Sequence, residues 1–350
     1  MSGRVIYAVK EPDAPGGGVR VIARHVELLR GAGIDAAMWC RTPGYRIPWF
    51  ANSVPMLSGD QLELSAEDLL VVPELYLLPG VDPAPGARKV IFNQNHFLTF
   101  WSWRDTEGYP GWNPAPHVWA VSRESMEVLA RVHPDLPLSH IPNPVDTDLF
   151  RPGLRDVRRI AWMPRRRPLE ASVLERILRN DPRTEDVELL SLSGLTEEQV
   201  ADALGRTSVF IALGISEGFG LPVAEALSAG CLVVGYPAGG GVELFESPGA
   251  TAVPDARPHL LADHALALAD VPADDPLRLR ARKWIGDRYN ADVTRQAVVA
   301  AVSAARAQPG QAATATHPVV WPDNPHGSAA ERGHPWVATD RTTAVASQLH

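Results

Sequence analysis

The stretch SEGFGLPVAEA, residues 216–226, holds two carboxylates eight positions apart, Glu217 and Glu225, with Gly218, Phe219, Gly220, Leu221 and Pro222 between them. Around it runs a short grammar: strand-like VFIAL, loop GISEGFG, helical LPVAEALSA. Pro222 suits a helix start, where its missing N–H costs nothing, and Gly230 suits the helix end. The loop therefore joins the carboxyl end of a strand to a helix N-terminus. At that edge of an open α/β sheet, free N–H groups and the positive end of the helix dipole favour an anion, most often phosphate. The glycines let the backbone come close to it. A carboxylate would repel phosphate, but it accepts hydrogen bonds from sugar hydroxyls. Two carboxylates flanking an anion site suit a ligand built as ribose, diphosphate and hexose. Glu225 would take the ribose hydroxyls and Glu217 would face the second sugar. Taken singly, Glu225 is an ordinary first-turn acid favoured by the dipole, and Glu217 a loop acid. Their combination with the glycine loop, the proline and the strand edge points further.

The elements that must hold such a loop read as α/β. Residues 4–9, RVIYAV, form a buried strand, followed by the Pro- and Gly-rich loop KEPDAPGGG. The run VRVIARHVELLRGAG has helical spacing through Val19, Ile22, Val26 and Leu29, and Gly31 and Gly33 end it. Residues 34–40 are a second strand, so the unit is a right-handed crossover. Strands over 68–72, 89–94 and 117–122 follow, then a helix with Ser122 as N-cap. The region 43–61 shows no clear period. The Pro-, Asn- and Asp-rich segment 139–153 reads as a linker. Beyond it RRIAWM, VELLSLSG, VFIALG and CLVVGY are strands, with helices TEEQVADALGR and PVAEALSAG between them. The helical runs after Gly249 include a break over 286–290. From Gln308 the composition turns to Ala, Thr, Pro, Gly and His without a period, which predicts a disordered tail.

The totals narrow the function classes. A chain of 350 residues suggests two domains, and a net charge of −8 argues against a nucleic-acid partner and against tight docking on anionic lipid. Membrane association is expected to be peripheral at most, since no apolar run approaches the roughly 18 residues of a membrane span. The positive charge is almost all arginine, which suits planar contact with phosphate. Cys40 and Cys231 sit beside apolar runs and read as buried thiols. There is no disulfide framework, no zinc spacing and no signal peptide ahead of MSGRVIYAV, so a cytoplasmic setting is expected. His317, His326 and His334 match no metal-ligand set.

SEGFGLPVAEA resembles the E-x7-E motif of family 4 glycosyltransferases, which have the GT-B fold. IPNPVDTDLFRP resembles that family's linker, with Pro144 at its usual Gly. The segments APGGGVRVIARHVELLRGAGIDA and LSGLTEEQVADALGRTSVFIALGISEGFGLPVAEALSAGCLVVGYPAGGGVELF resemble its first glycine loop and its C-terminal half. The resemblance implies two Rossmann-like domains facing a cleft: residues 1–150 for the acceptor, 151–285 for the nucleotide sugar. It also implies a C-terminal helix, 286–307, that crosses back, and leaves 308–350 as the tail. It implies transfer with retention at the anomeric carbon, needing no metal or cofactor beyond the nucleotide-sugar co-substrate, of UDP, GDP or dTDP type. The acceptor would be a glycan, a lipid-linked glycan or a small molecule, as in polysaccharide biosynthesis.

Carried over by residue, Glu217 and Glu225 are the motif acids, and Gly218, Phe219, Gly220 and Leu221 the amide cradle. Gly194 lies on the donor side, and Gly16, Gly17 and Gly18 match the N-terminal glycine loop. Arg165 matches the family's diphosphate arginine, but the lysine five residues on is Glu170 here. Arg166 or Arg167 would supply the missing charge. His96 matches a histidine near the transferred sugar, whereas His25 reads as structural. Trp101, Trp103, Trp112 and Trp119 crowd one segment and could form an acceptor platform or a membrane-facing edge, although such residues are more often core or rim. The missing lysine motivates an alternative, a catalytically inactive GT-B protein that binds a sugar nucleotide or glycan. A nicotinamide enzyme is disfavoured because the G-x-G-x-x-G order fails at Val21 and the second strand ends at Arg41 rather than an acid.

Overall fold

The computed structural model describes residues 3–10, 16–77, 81–102, 109–307 and 317–318, with 100–102 and 317–318 described by backbone alone. The first sheet takes its strands from β1 (Val5–Ala8), β2 (Ala36–Cys40), β3 (Met56–Ser58), β5 (Leu69–Pro73), β6 (Arg88–Asn93), β7 (His117–Ala120) and β8 (Leu138–His140). A two-residue strand, β4 (Glu63–Leu64), lies outside it. The helices of this half are α1 (Gly17–Gly31), α2 (His96–Ser102) and α3 (Arg123–Val132). The sheet runs β3-β2-β1-β5-β6-β7-β8, every pair parallel. The chain builds outward from β1 on one side and then returns to its other side, so the order switches between β1 and β5.

The second sheet repeats this plan with β9 (Arg158–Trp162), β10 (Val187–Ser191), β11 (Val209–Ala212), β12 (Leu232–Gly235) and β13 (Ala250–Ala252). Its order is β10-β9-β11-β12-β13, all parallel, with the switch between β9 and β11. Helices α4 (Pro168–Asn180), α5 (Glu197–Gly205), α6 (Leu221–Ser228) and α7 (Pro258–Ala269) flank it, and α8 (Pro276–Arg288) and α9 (Ala291–Ala307) follow. Both sheets are covered on both faces, which is why their strands read as continuous apolar runs. Alternate residues still divide between cores. Val5, Tyr7 and Val9 join one cluster while Ile6 and Ala8 join another. Phe210 and Ala212 join the first of these, while Val209 and Ile211 pack into a third.

The linker is fixed by side chains rather than left slack. Arg282 on α8 donates to the carbonyls of Phe150 at 3.0 Å and Thr147 at 2.9 Å. The expected break over 286–290 is shorter: α8 runs through Gly286 to Arg288. Asn290 then caps α9, its Oδ1 accepting from the Val293 N–H at 2.9 Å. A capping side chain divides the helical run where the glycine does not. Helix α9 returns to the first half, packing on α1 and β6, with Thr294 Oγ1 donating to the Pro142 carbonyl at 2.9 Å.

Ser122 caps α3 as its position predicts, accepting from the Ser125 N–H. The unplaced region 43–61 supplies the edge strand β3. Cys40 and Cys231 are both buried and free. Among the described residues no helix is long and apolar enough to cross a membrane. The expected tail lies outside the described residues, except that β14 (His317–Pro318) pairs antiparallel with β4.

Candidate functional site

In open α/β sheets ligands gather at the carboxyl edge, where the strand order switches. In the second sheet the loops after β9 and β11 flank that point. They carry Arg165, Arg166 and Arg167 on one side and the Ser216–Gly220 loop on the other. In the first sheet the loops after β5 and β6 lie at the corresponding edge, and the two edges face each other in contact. A Cβ on Gly218 would sit 1.8 Å from the Gln94 carbonyl, and one on Gly17 would lie 3.0 Å from Leu221 Cδ1. Gly218 is therefore a residue of close approach, where only a bare Cα fits.

The Ser216–Gly220 loop is held from three directions. Ser216 has φ +44° and Gly220 φ +92°, so the chain passes twice through the left-handed region. The Ser216 carbonyl accepts from Asn95 Nδ2 at 2.8 Å, across the cleft. The Glu217 N–H donates to the Ala238 carbonyl at 2.7 Å, and the Gly240 N–H donates to the Glu217 carbonyl at 2.8 Å. A second glycine loop, Pro237–Gly241, thus braces the first. The backbone N–H groups of Gly218, Phe219, Gly220 and Leu221 find no acceptor among the described residues. Those of Gly17, Gly18 and Val19 at the start of α1 are equally free. Two helix N-termini with open donors converge on one space, which is an anion-binding arrangement. The Phe219 ring points away and packs edge-on against Tyr289, so that residue contributes backbone alone.

Three arginines after β9 have three different situations. Arg165 is exposed and forms no hydrogen bond or ion pair among the described residues. Burial of part of its chain lowers its pKa, and neighbouring Arg166 adds to that. Arg166 Nε lies 3.5 Å from Glu217 Oε1. Arg167, expected at the donor phosphates, is already committed. It donates to the Gly214 carbonyl at 2.9 Å, pairs with Glu170 at 3.0 Å and Asp255 at 2.5 Å, and lies over the Tyr236 ring. Glu170 explains this. Where the resemblance has a cation, this acid holds Arg167 and accepts from the Tyr236 hydroxyl. The free charge at the switch point is therefore Arg165, with Arg166 beside it.

Glu217 is raised above its ordinary pKa by desolvation, against the pull of Arg166 and Arg165. Glu225, just past the first turn of α6, is 5% exposed. Its pKa too is raised by burial, with Arg20 opposing and Glu197 reinforcing. Its carboxylate is not open to solvent: Arg20 of α1 pairs with it and with Glu197 Oε1 at 2.7 Å. Sequence reasoning misses Arg20 and Glu197, although both lie in segments that carry the resemblance, because a charge partner 205 residues away leaves no local pattern.

Other expected residues are placed differently from their reading. Gly16 is the N-cap of α1, but Gly17 and Gly18 are the first turn of that helix, not a loop. Gly194 has φ +69° on the turn after β10, exposed. His96 opens α2, 3% exposed, with a pKa lowered to about 4 by burial. Ser122 Oγ donates to Ser125 Oγ, and Ser125 Oγ lies 2.9 Å from His96 Nδ1. With its pKa lowered by burial, His96 is neutral near pH 7, one ring nitrogen engaged with Ser125. His25 is fully buried beside Tyr7 and Phe92. Two of the four clustered tryptophans face inward: Trp119 is core, and Trp112 is buried with its indole N–H donating to the Val81 carbonyl at 3.0 Å. The side chain of Trp101 and the whole of Trp103 lie outside the described residues. Among the described residues no group of His, Cys, Asp or Glu could hold a metal ion.

Residues 187–283 match the family described as glycosyl transferases group 1. Over 238 residues the chain is 29% identical to an alpha-1,6-glucosyltransferase of Actinobacillus pleuropneumoniae serotype 7 (strain AP76), covering 63% of this chain and 68% of that protein. Among solved structures it resembles HepE of Anabaena in complex with UDP-glucose, with a TM-score of 0.64, 14% identity, and 86% of this chain and 99% of that one covered. Sucrose-phosphate synthase of Thermosynechococcus elongatus gives a TM-score of 0.63 at 15% identity, over 86% and 98% of the two chains. The fold is thus that of the GT-B glycosyltransferases.

Proposed function

We propose that the protein is a retaining glycosyltransferase of family 4 type, moving a sugar from a nucleoside diphosphate to a hydroxyl of a glycan or other acceptor. One observation carries this reading: N–H groups at two helix starts and Arg165, all without partners among the described residues, surround one space flanked by the carboxylates Glu217 and Glu225. That set matches a diphosphate with a hydroxyl-bearing group at each end. A relative that bears the name of a glucosyltransferase and a fold neighbour holding UDP-glucose support a nucleotide sugar, and make UDP-glucose the first donor to try.

In this reading the diphosphate lies against the amides of Gly218 to Leu221, with Arg165 on its other side. As the bond from the anomeric carbon to phosphate breaks, charge grows on the departing phosphate, and fixed donors there lower the barrier. The acceptor oxygen bonds to the same face of the anomeric carbon, and its proton passes to the leaving phosphate. Glu217 accepts from hydroxyls of the transferred sugar, with Arg166 steadying it. His96, neutral and anchored through Nδ1 by Ser125, hydrogen-bonds at the acceptor side. No step in this scheme calls for a metal ion.

The test is a transfer assay with UDP-glucose and a hydroxyl acceptor, with the product's anomeric configuration read by proton NMR. Glu217→Ala should lose turnover by about 10²-fold or more while nucleotide affinity changes little. Equal loss of both would remove Glu217 from its role at the transferred sugar, and an inverted product would overturn retention.

A further inference from the structure

The contact between Arg20 and Glu225 joins the two halves of the molecule at the carboxylate that the proposed donor needs. Arg20 lies in the first turn of α1. Its guanidinium forks between two acids of the second half: one nitrogen on Glu225, the other 2.7 Å from Glu197 Oε1. Glu197 is the first residue of α5, and Glu225 stands one turn into α6. Arg24, one turn further along α1, stands 3.8 Å from Glu197 Oε2. Both acids are largely buried, with side-chain exposures of 8% for Glu197 and 7% for Glu225. A cavity of about 330 Å³ opens beside the cluster, lined in part by Arg20, Arg24, Leu221 and both acids.

We propose that Arg20 is a positioning residue that competes with the donor's ribose: it occupies Glu225 when the site is empty and withdraws onto Glu197 when nucleotide binds. This rests on the reading that Glu225 receives ribose hydroxyls. Hydroxyls and a guanidinium both donate to carboxylate oxygen, so they compete for the same lone pairs. A neutral sugar cannot neutralise two buried acids, and Arg24, 3.8 Å from Glu197 alone, cannot serve both, so removing Arg20 from the cluster would be costly. Arg20 must therefore stay in the cluster, and Glu197 gives it a second berth that needs only a side-chain rotation. The cavity gives that rotation room. Because Arg20 belongs to the first half and Glu225 to the second, donor occupancy also removes one of the bonds between the halves. Nucleotide then binds only the fraction of molecules in which Glu225 is free, and its apparent affinity falls by that fraction.

The experiment measures dissociation constants by calorimetry for whichever of UDP, GDP and ADP the wild-type protein binds, and for its 2′,3′-dideoxy counterpart. Arg20→Met should bind the ribonucleotide about three- to tenfold more tightly, with the dideoxy form unchanged. Glu197→Gln strips Arg20 of its alternative partner, so it should bind the ribonucleotide more weakly by a similar factor, and it serves on its own if Arg20→Met does not fold. A merely structural Arg20 would weaken both ligands in both variants, and that result overturns the inference. If wild type prefers the ribonucleotide and Glu225→Ala loses the preference, but neither variant moves it in the stated direction, the competition is wrong and the ribose reading stands. If wild type does not distinguish the ribo and dideoxy forms, or binds no nucleotide, the ribose reading fails and the Arg20 proposal with it.

Discussion

Among the site residues, the exchange of a lysine for Glu170 does not leave the phosphate space without charge. It draws Arg167 into a bonded cluster with Asp255 and Tyr236 and leaves Arg165 without a partner among the described residues. Arg165→Ala should therefore reduce turnover by about 10²-fold with little change in Tm, because no bond is lost with it. Arg167→Ala should do the reverse, lowering Tm more than it lowers nucleotide affinity. Paired melting curves and turnover numbers separate the two. Glu217 and Glu225 are legible in the sequence because their spacing, the glycines and Pro222 are neighbours in the chain. Arg20 is not, since its partners belong to another sheet. His96 is legible as a strand-end histidine, but its protonation state is not: that depends on burial and on Ser122 and Ser125, which only the fold brings to it.

The elements that carry these residues are fixed by short-range chemistry. Thr196 and Gln199 form a reciprocal cap at the start of α5, the Thr196 oxygen accepting from the Gln199 N–H at 3.3 Å and the Gln199 side chain accepting from Thr196 at 2.9 Å. This cap sets where Glu197 stands. Thr196→Ala should cost about 1 kcal/mol, measured by denaturant unfolding. The loop between β11 and α6 depends on backbone approach instead. Gly218→Ala places a methyl on the Gln94 carbonyl, against backbone that cannot move alone. It should abolish detectable turnover while far-ultraviolet circular dichroism stays near wild type. Strands are the most legible elements because burial on both faces leaves apolar runs bounded by loops. The start of α1 is less so: glycines read as a loop, yet Gly17 and Gly18 adopt helical backbone under the first turn. The aromatic segment leaves two readings open because a tryptophan in sequence does not reveal whether it faces the core, as Trp112 and Trp119 do.

Across the whole molecule, the two halves meet through bonds whose partners are charged or buried. Besides Arg20, the Arg123 N–H donates to Glu243 Oε2 at 2.8 Å, while the Tyr289 hydroxyl, within the second half, donates to Glu243 Oε1 at 3.0 Å and holds it in place. Stability should also respond to acid through the core histidines. Burial lowers the pKa of His25 to about 3 and that of His96 to about 4, from an ordinary 6.5. Below pH 6.5 the unfolded chain takes up protons that the folded chain refuses, so stability is lost as pH falls through that window. The raised pKa values of Glu217 and Glu225 act in the opposite sense, closer to the carboxylate range. For His25 the loss between pH 6.5 and 5 is on the order of 2 kcal/mol. The fall in stability across that range should be shallower in His25→Phe than in wild type, read from unfolding at both pH values. Two parallel sheets are legible in the sequence. How closely the halves meet is not, because contacts such as Gly218 on Gln94 depend on the packing of α9 and the linker.

The central claim is that the space between Arg165, Glu217 and Glu225 holds a nucleoside diphosphate. Its most direct test is thermal stabilisation by UDP, GDP, dTDP and ADP, on wild type and on Glu225→Ala. A rise in Tm with one nucleotide over the others, reduced or lost in the variant, is the expected result. No rise with any nucleotide, or an equal rise in wild type and Glu225→Ala, would contradict it.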